Sequence, residues 1–222
     1  MTIQDQATLE KTKAGFSVEK MLEIRTKAQQ AVCRIAEQVQ PGMMEEDANT
    51  LVINTLKEMG ATKAFHKPYI RFGSNTTKTF GADSDKGICL GEDDIFFIDV
   101  GPVWDGYEGD AGDTYVTGTN PNYKRCALDA KKIYESVARK WKEEKSTGVE
   151  LYDFAQQMAQ DLGWVLNLDL GGHRLGDHPS EENYNGPLSQ ITFHPSPYIW
   201  MVEIHIRDTG NQFGAFYEDL LI

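Results

Sequence analysis

The sequence has little cysteine, little positive charge and no long apolar run, and each shortage removes a class of protein. Its three cysteines, Cys33, Cys89 and Cys126, are widely spaced, so no CxxC pattern offers a thiolate metal site or a redox pair. Reduced, semi-buried thiols that serve as packing residues are the expected state. Lysine and arginine number 22 against 34 aspartates and glutamates, a formal net charge of −12. Phosphate backbones are held by clustered cations. The basic stretches, Lys63 to Arg71 and Lys131 to Lys142, read instead as solvated faces, so nucleic acid is not an expected partner. No apolar run approaches the about 20 residues that a membrane-crossing helix needs. Residues 1–16 are polar, without the apolar core of a secretory signal. A membrane is not an expected partner, and the cytoplasm is the expected location.

Linkers rich in Pro, Gly or Ser are also missing, as is a convincing internal repeat. A chain of 222 residues is then read as an N-terminal extension, 1–17, and a single domain, 18–222, long enough for a substantial core. Met21, Ile24, Ala28, Ala31, Val32, Ile35 and Ala36 recur at helical spacing and predict a helix from Val18 to about Val39, ending before Pro41-Gly42. A second helix is expected from Glu45 to Met59, stopped by Gly60. An extended segment at Tyr69 to Phe72 and an irregular stretch from Ser74 to Lys86 follow, then helices near Cys126 to Lys145 and Val149 to Leu162. Gly163-Trp164 opens a return to the sheet, so the class is α/β (α+β).

What is present is a set of five side chains with metal-binding chemistry: Asp99, Asp110, His173, Glu203 and Glu218. Asp105-Gly106 stands between apolar runs, a strong hairpin signal. With these two as the loop, Trp104 faces Tyr107 and Asp110 faces Gly101. Side chains alternate with period two, so Asp110 and Asp99 become diagonal neighbours on one face. With Gly210-Asn211 as a second loop, Glu203 sits directly across from Glu218, and His205 shares their face. Like charges opposed in apolar strands are destabilising unless a cation lies between them. Oxygen ligands with one imidazole suit Mn, Co, Fe or Zn.

The run Ile98-Asp99-Val100-Gly101, then Asp105-Gly106-Tyr107 and Asp110, followed by Gly172-His173-Arg174-Leu175-Gly176, Val202-Glu203 and Tyr217-Glu218-Asp219, resembles the pita-bread metallopeptidases. That group holds methionine aminopeptidase, aminopeptidase P, prolidase and creatinase. The resemblance extends from about residue 18 to the C-terminus and implies a pseudo-symmetric antiparallel sheet covered by helices, in the form of the catalytic domain alone. It implies two divalent metal ions: Asp99 on one, Asp110 and Glu218 bridging, His173 and Glu203 completing the other. A hydroxide held between the ions attacks a scissile carbonyl, and Glu203 shuttles the proton. The implied activity is that of an aminopeptidase or prolidase-like exopeptidase on short peptides. A creatinase-like hydrolase of a small amide or amidine and an inactive binding protein are the alternatives on the same fold.

Two departures from the family pattern bear on specificity. The histidine that usually follows the ligand His comes early here, at His178, expected to contact substrate and assist catalysis. The histidine usually found before the first Asp is missing, since that position falls near Phe80-Gly81 and no histidine lies between His66 and Asp99. His205 is a second expected substrate contact by its place on the ligand face. Trp200, Phe193 and Tyr198 are candidates for an apolar side-chain pocket. A last strand ending close after Glu218, with an unprotected edge, makes a homodimer contact an expectation.

Overall fold

The computed structural model describes residues 5–222. In chain order the helices are α1 (Gln6–Leu9), α2 (Val18–Ala36), α3 (Glu45–Glu58), α4 (Pro121–Glu144) and α5 (Gly148–Asp161). The strands are β1 (Lys63–Ala64), β2 (Tyr69–Phe72), β3 (Ile95–Val100), β4 (Pro102–Trp104), β5 (Tyr107–Glu108), β6 (Ala111–Val116), β7 (Val165–Leu166), β8 (His173–Arg174), β9 (Trp200–Arg207) and β10 (Gly214–Leu220). A seven-stranded sheet runs β2-β3-β6-β10-β9-β7 with β8 attached to β9, and a small sheet runs β1-β4-β5. All the pairings are antiparallel.

Local chemistry sets the helix ends. Ser17 caps α2 by accepting from the Lys20 N–H, and Thr147 with Glu150 closes a reciprocal capping box on α5. Helix α4 begins five residues ahead of the Cys126 expected from apolar periodicity, because Pro121 fits the first turn and the Asn120 side chain accepts from the Asn122 N–H. All four long helices pack onto one face of the sheet. Met21, Ile24, Ala28, Ala31, Val32 and Ile35 of α2 are buried, and Phe96, Ile98 and Val100 of β3 join the α2–α3 core. Val202, Ile204 and Ile206 of β9 and Ala215 of β10 join the α4–α5 core. By alternation, the other residues of these strands point to the opposite face.

Both hairpins keep the expected register. Trp104 pairs with Tyr107, and Asp105 (φ 52°) and Gly106 (φ 81°) supply the two left-handed positions of the tight turn. The ladder breaks at Gly101 and at Gly109-Asp110, so the hairpin tip leaves the large sheet and joins β1. In the second hairpin Glu218 pairs with Glu203, although the turn is wider than the expected Gly210-Asn211 pair. Pairing stops at Arg207 and Gly214, because the Asp208 carboxylate gathers the N–H groups of Gly210 (2.9 Å) and Phe213 (2.9 Å) into a longer loop.

Two expectations are corrected here. Strand β10 is not an edge: it lies between β6 and β9, paired on both sides, so it offers no open edge for a homodimer contact. Of the cysteines only Cys126 is buried, whereas Cys33 and Cys89 are exposed. Residues ahead of α2 are held against the domain: Glu10 accepts from the Trp200 indole N–H (2.7 Å) and from the Ser196 hydroxyl (2.7 Å). Among the described residues no helix is long and apolar enough to cross a membrane.

Candidate metal centre

On the face away from the helices, a single row of register partners crosses the sheet: Tyr69 opposite Asp99, Asp99 opposite Gly112, Gly112 opposite Glu218, and Glu218 opposite Glu203. Asp110 enters from the broken segment just before β6, and His173 from β8, opposite Met201 of β9. The structure therefore brings all five sequence-predicted ligands to one place. The four carboxylates are buried, Asp110 to 1 % exposure and Glu218 to 3 %. Gly112 has no side chain to separate the acids, and a Cβ there would lie 2.9 Å from Glu218 Oε1.

A sixth group, His66, stands with them and was not among the sequence-predicted ligands. Its Nε2 is 3.2 Å from Asp110 Oδ1 and 3.5 Å from Asp99 Oδ1. It comes from the loop between β1 and β2 and fits against the break at Gly101, where a Cβ would lie 2.1 Å from the imidazole. That bare glycine, in the middle of the first hairpin, is the signal in the sequence that something must approach closely. His173 Nε2 lies 3.0 Å from Asp110 Oδ2, without the angle of a hydrogen bond.

The tautomers of these rings favour a bound cation. Nδ1 of His173 is 2.9 Å from the Arg174 carbonyl, and Nδ1 of His66 is 2.9 Å from the Lys67 carbonyl. A carbonyl only accepts, so both Nδ1 atoms donate, and each neutral ring would aim an Nε2 lone pair at carboxylate oxygens. Only a proton or a metal ion between them makes that arrangement favourable. Two overlapping groups have ligand atoms within 4.8 Å of one another, His66-Asp99-Asp110 and Asp110-His173-Glu218. Asp110 belongs to both, as a bridging ligand would. Asp110 Oδ2 and Glu218 Oε1 are buried with no hydrogen-bond partner, so the donor set fits divalent cations. Glu203, opposite Glu218, accepts the Gly172 N–H through Oε2 (3.0 Å).

Without metal, protons do part of this work. Burial opposes the charge on His173, yet Asp110 and Glu203 hold its pKa up at about 10. Burial likewise opposes His66, which Asp99 and Asp110 raise to about 9. Asp110 is brought down to about 2 by His173 and His66 against the effect of burial, while burial lifts Asp99 to about 7. Burial also raises Glu203 and Glu218, Glu218 well above the carboxylate range, with Asp110 and Asp99 adding repulsion.

Asp99, His173, Glu203 and Glu218 line a cavity of about 770 Å³. His178 lines it too: its Nδ1 is 3.0 Å from Glu108 Oε1, which also takes the Ser180 N–H (2.9 Å), and this leaves Nε2 uncommitted. His205 does not reach the cavity, contrary to the expected substrate contact. It shares the strand face but is 0 % exposed, with Nε2 donating to the Thr76 carbonyl (2.7 Å) and Nδ1 accepting from the Asn167 amide (3.0 Å). Burial takes its pKa down to about 3, so it is a neutral structural residue. Trp200, Phe193 and Tyr198 are not cavity walls either, since Trp200 points to the α4–α5 core and meets Phe193 there. The apolar walls are Phe65, Phe80, Leu170 and Tyr184.

The sequence profile of metallopeptidase family M24 matches residues 19–222. Among curated proteins, an Xaa-Pro dipeptidase of Pyrococcus furiosus is 31% identical over 216 residues, covering 90% of this chain and 59% of its own length. A methionine aminopeptidase of Aquifex aeolicus is 26% identical over 165 residues, 68% of this chain and 62% of its own. The chain thus spans about six-tenths of the length of these relatives. Among solved structures, an X-Pro aminopeptidase of Thermotoga maritima superposes with a TM-score of 0.77 at 20% identity, covering 98% of this chain and 61% of that one. A methionine aminopeptidase of the same organism gives 0.73 at 20% identity, covering 95% and 94%. The fold is the pita-bread fold.

Proposed function

The chain belongs to metallopeptidase family M24, and on that footing we propose that it is a dinuclear metal-dependent exopeptidase acting on short peptides, with aminopeptidase or prolidase-like specificity. The observation that carries this reading is the convergence of four buried carboxylates and an imidazole on one sheet face, with unpartnered oxygens, at the wall of a cavity of about 770 Å³. Asp99, Asp110, His173, Glu203 and Glu218 would hold two ions, for which Mn, Co, Fe and Zn all suit the donors. Bound there, the ions would lower the pKa of water and polarise a carbonyl.

The protein's own groups supply the rest. Glu203 has a pKa raised by burial and lies on the cavity wall, so it is placed to take up and return a proton. His178 presents Nε2 to the cavity and, with Glu108 fixing its other nitrogen, acts as a substrate contact and assists proton transfer.

The test is metal content and a peptide panel with protein equilibrated in Mn, Co or Zn. Close to two ions per chain and turnover of di- or tripeptides is the expected result, and no bound metal under any of these conditions would sink the reading. A second reading, hydrolysis of a small amide or amidine, is favoured by Phe80 and Gly81 at the position where the family usually has a histidine. Turnover of such compounds with none of peptides would select it.

A further inference from the structure

Arg71 is a buried cation with an unused donor beside the cavity. It is 1 % exposed. Its Nη2 donates to the Ala82 carbonyl (2.7 Å), and its guanidinium carbon lies 4.8 Å from the Tyr69 ring centroid. Nη1 has no hydrogen-bond partner. The other buried arginine near the site, Arg174, spreads its nitrogens over the carbonyls of Leu9, Lys11 and Ile199. Among the described residues no carboxylate makes an ion pair with Arg71. Glu45 is committed to the Phe72 N–H (2.7 Å) and the Asn75 amide (3.0 Å), and Asp99 belongs to the metal centre. A buried guanidinium without an ion-pair partner is costly, and the Ala82 carbonyl and the Tyr69 ring leave Nη1 unanswered.

Its position gives that charge a use. Arg71 pairs with Phe97 while Tyr69 pairs with Asp99, so Arg71 lies on the same sheet face as Asp99 and diagonal to it, about 7–8 Å away along the backbone. A narrow cavity lined by Arg71, Lys78 and Phe97 shares Phe80, Asp99 and Leu170 as walls with the main one. We propose that Arg71 forms a subsite for the free carboxylate of a short substrate lying across the metal centre; Lys78, which also lines the narrow cavity, is already paired with Asp85 (2.9 Å). This deepens the peptidase reading and rests on it for the identity of the substrate.

Reach agrees with a di- or tripeptide. An extended chain spans at most about 3.3–3.6 Å per residue, so a carboxylate one or two residues beyond a bond held near Asp99 meets the guanidinium. The narrow cavity, about 10 Å³, has room for one water at most. To admit a carboxylate, Phe80, the 48 % exposed wall between the two cavities, would have to turn aside. Phe97 and Phe216 wall the narrow cavity, and beside such apolar rings, with little bulk water, a guanidinium–carboxylate pair is stronger than at the surface.

The test uses a dipeptide analogue in which the scissile amide is replaced by CH2–NH, prepared as the free acid and as the C-terminal amide. Binding to the metal-equilibrated protein is followed by calorimetry. The acid is expected to bind about tenfold or more tighter than the amide, in line with a charge-assisted bond. In Arg71→Gln that preference falls to within about twofold while the affinity for the amide is unchanged, and Arg71→Lys recovers part of it. Thermal unfolding checks that the variants fold, and Arg71→Met, which puts an apolar chain in an apolar site, replaces the Gln variant if it does not. Equal affinity of the wild type for the two forms, no binding of either, or a preference that survives loss of Arg71 would each overturn the proposal. If no peptide is hydrolysed but the preference stands, the peptidase reading fails and the subsite does not; hydrolysis without the preference is the reverse.

Discussion

Gly112 lies directly opposite Glu218 on one side and Asp99 on the other, so the centre of the metal site is a residue without a side chain. A methyl group there would sit 2.9 Å from Glu218 Oε1 and 2.3 Å from Cε1 of Phe216.

Gly112→Ala is therefore expected to push Glu218 and the Phe216 ring apart. Overpacking of this kind costs about 1–3 kcal/mol. Metal affinity should fall by about tenfold or more, in keeping with the sensitivity of metal sites to displaced supporting groups. Calorimetric metal titration beside thermal unfolding checks both, and metal binding equal to wild type would show that the close approach of these acids does not matter.

Removing the metals should be visible without any substrate. A ligand that binds only the folded state stabilises it, so a chelator should lower the melting temperature and Mn, Co or Zn should restore it. Asp110→Asn, which weakens both overlapping ligand groups, should abolish the restoration and reduce metal content from about two ions per chain to fewer than one. Elemental analysis decides it.

Two of the histidines at the cavity, His66 and His178, should separate by what they affect. The His66 ring contacts Asp99 and Asp110, whereas the His178 ring is held by Glu108. His66→Ala should weaken cobalt binding by about tenfold or more. His178→Ala should leave metal content unchanged and lower kcat/KM by about a hundredfold, the scale of a lost general acid or base. The opposite pattern would exchange their roles.

His205 should contribute a stability that acid removes. Its folded pKa, about 3, is below the ordinary 6.5, so the unfolded chain takes up the proton first. The contribution is complete above pH 6.5 and is lost as pH falls from there toward about 3, with a slope of up to about 1.4 kcal/mol per pH unit. His205→Gln can still meet Thr76 and Asn167 and does not titrate. Urea unfolding at pH 7 and pH 4.5 should show a smaller loss in the variant than in the wild type, and equal losses would mean that His205 is not the group responsible.

Much of the site was legible because the information is local. Asp105-Gly106 and the alternation around it set the Asp99–Asp110 relationship, and the second hairpin kept Glu203 opposite Glu218 even though Asp208 widened the turn. A wider loop centred on the same residues leaves the register alone. The same alternation misplaced His205: it put the ring on the ligand face correctly but says nothing of what covers that part of the face, which is Thr76 and Asn167. Trp200 shows the converse, an aromatic whose parity puts it on the helix side and away from the cavity.

By itself, then, the sequence determined which acids share a face, since strand periodicity and turn residues act over a few positions. The tertiary structure decided which face is closed and which is open, and what arrives from a distance. His66 reaches the acids from the loop between β1 and β2 through the gap at Gly101, and Arg71 comes to lie diagonal to Asp99 only because β2 pairs with β3. The central place of β10 has the same origin. Each of these depends on contacts between segments far apart in the chain, which no local pattern encodes and which form because packing the helices onto one face of the sheet leaves the other face to the metal centre.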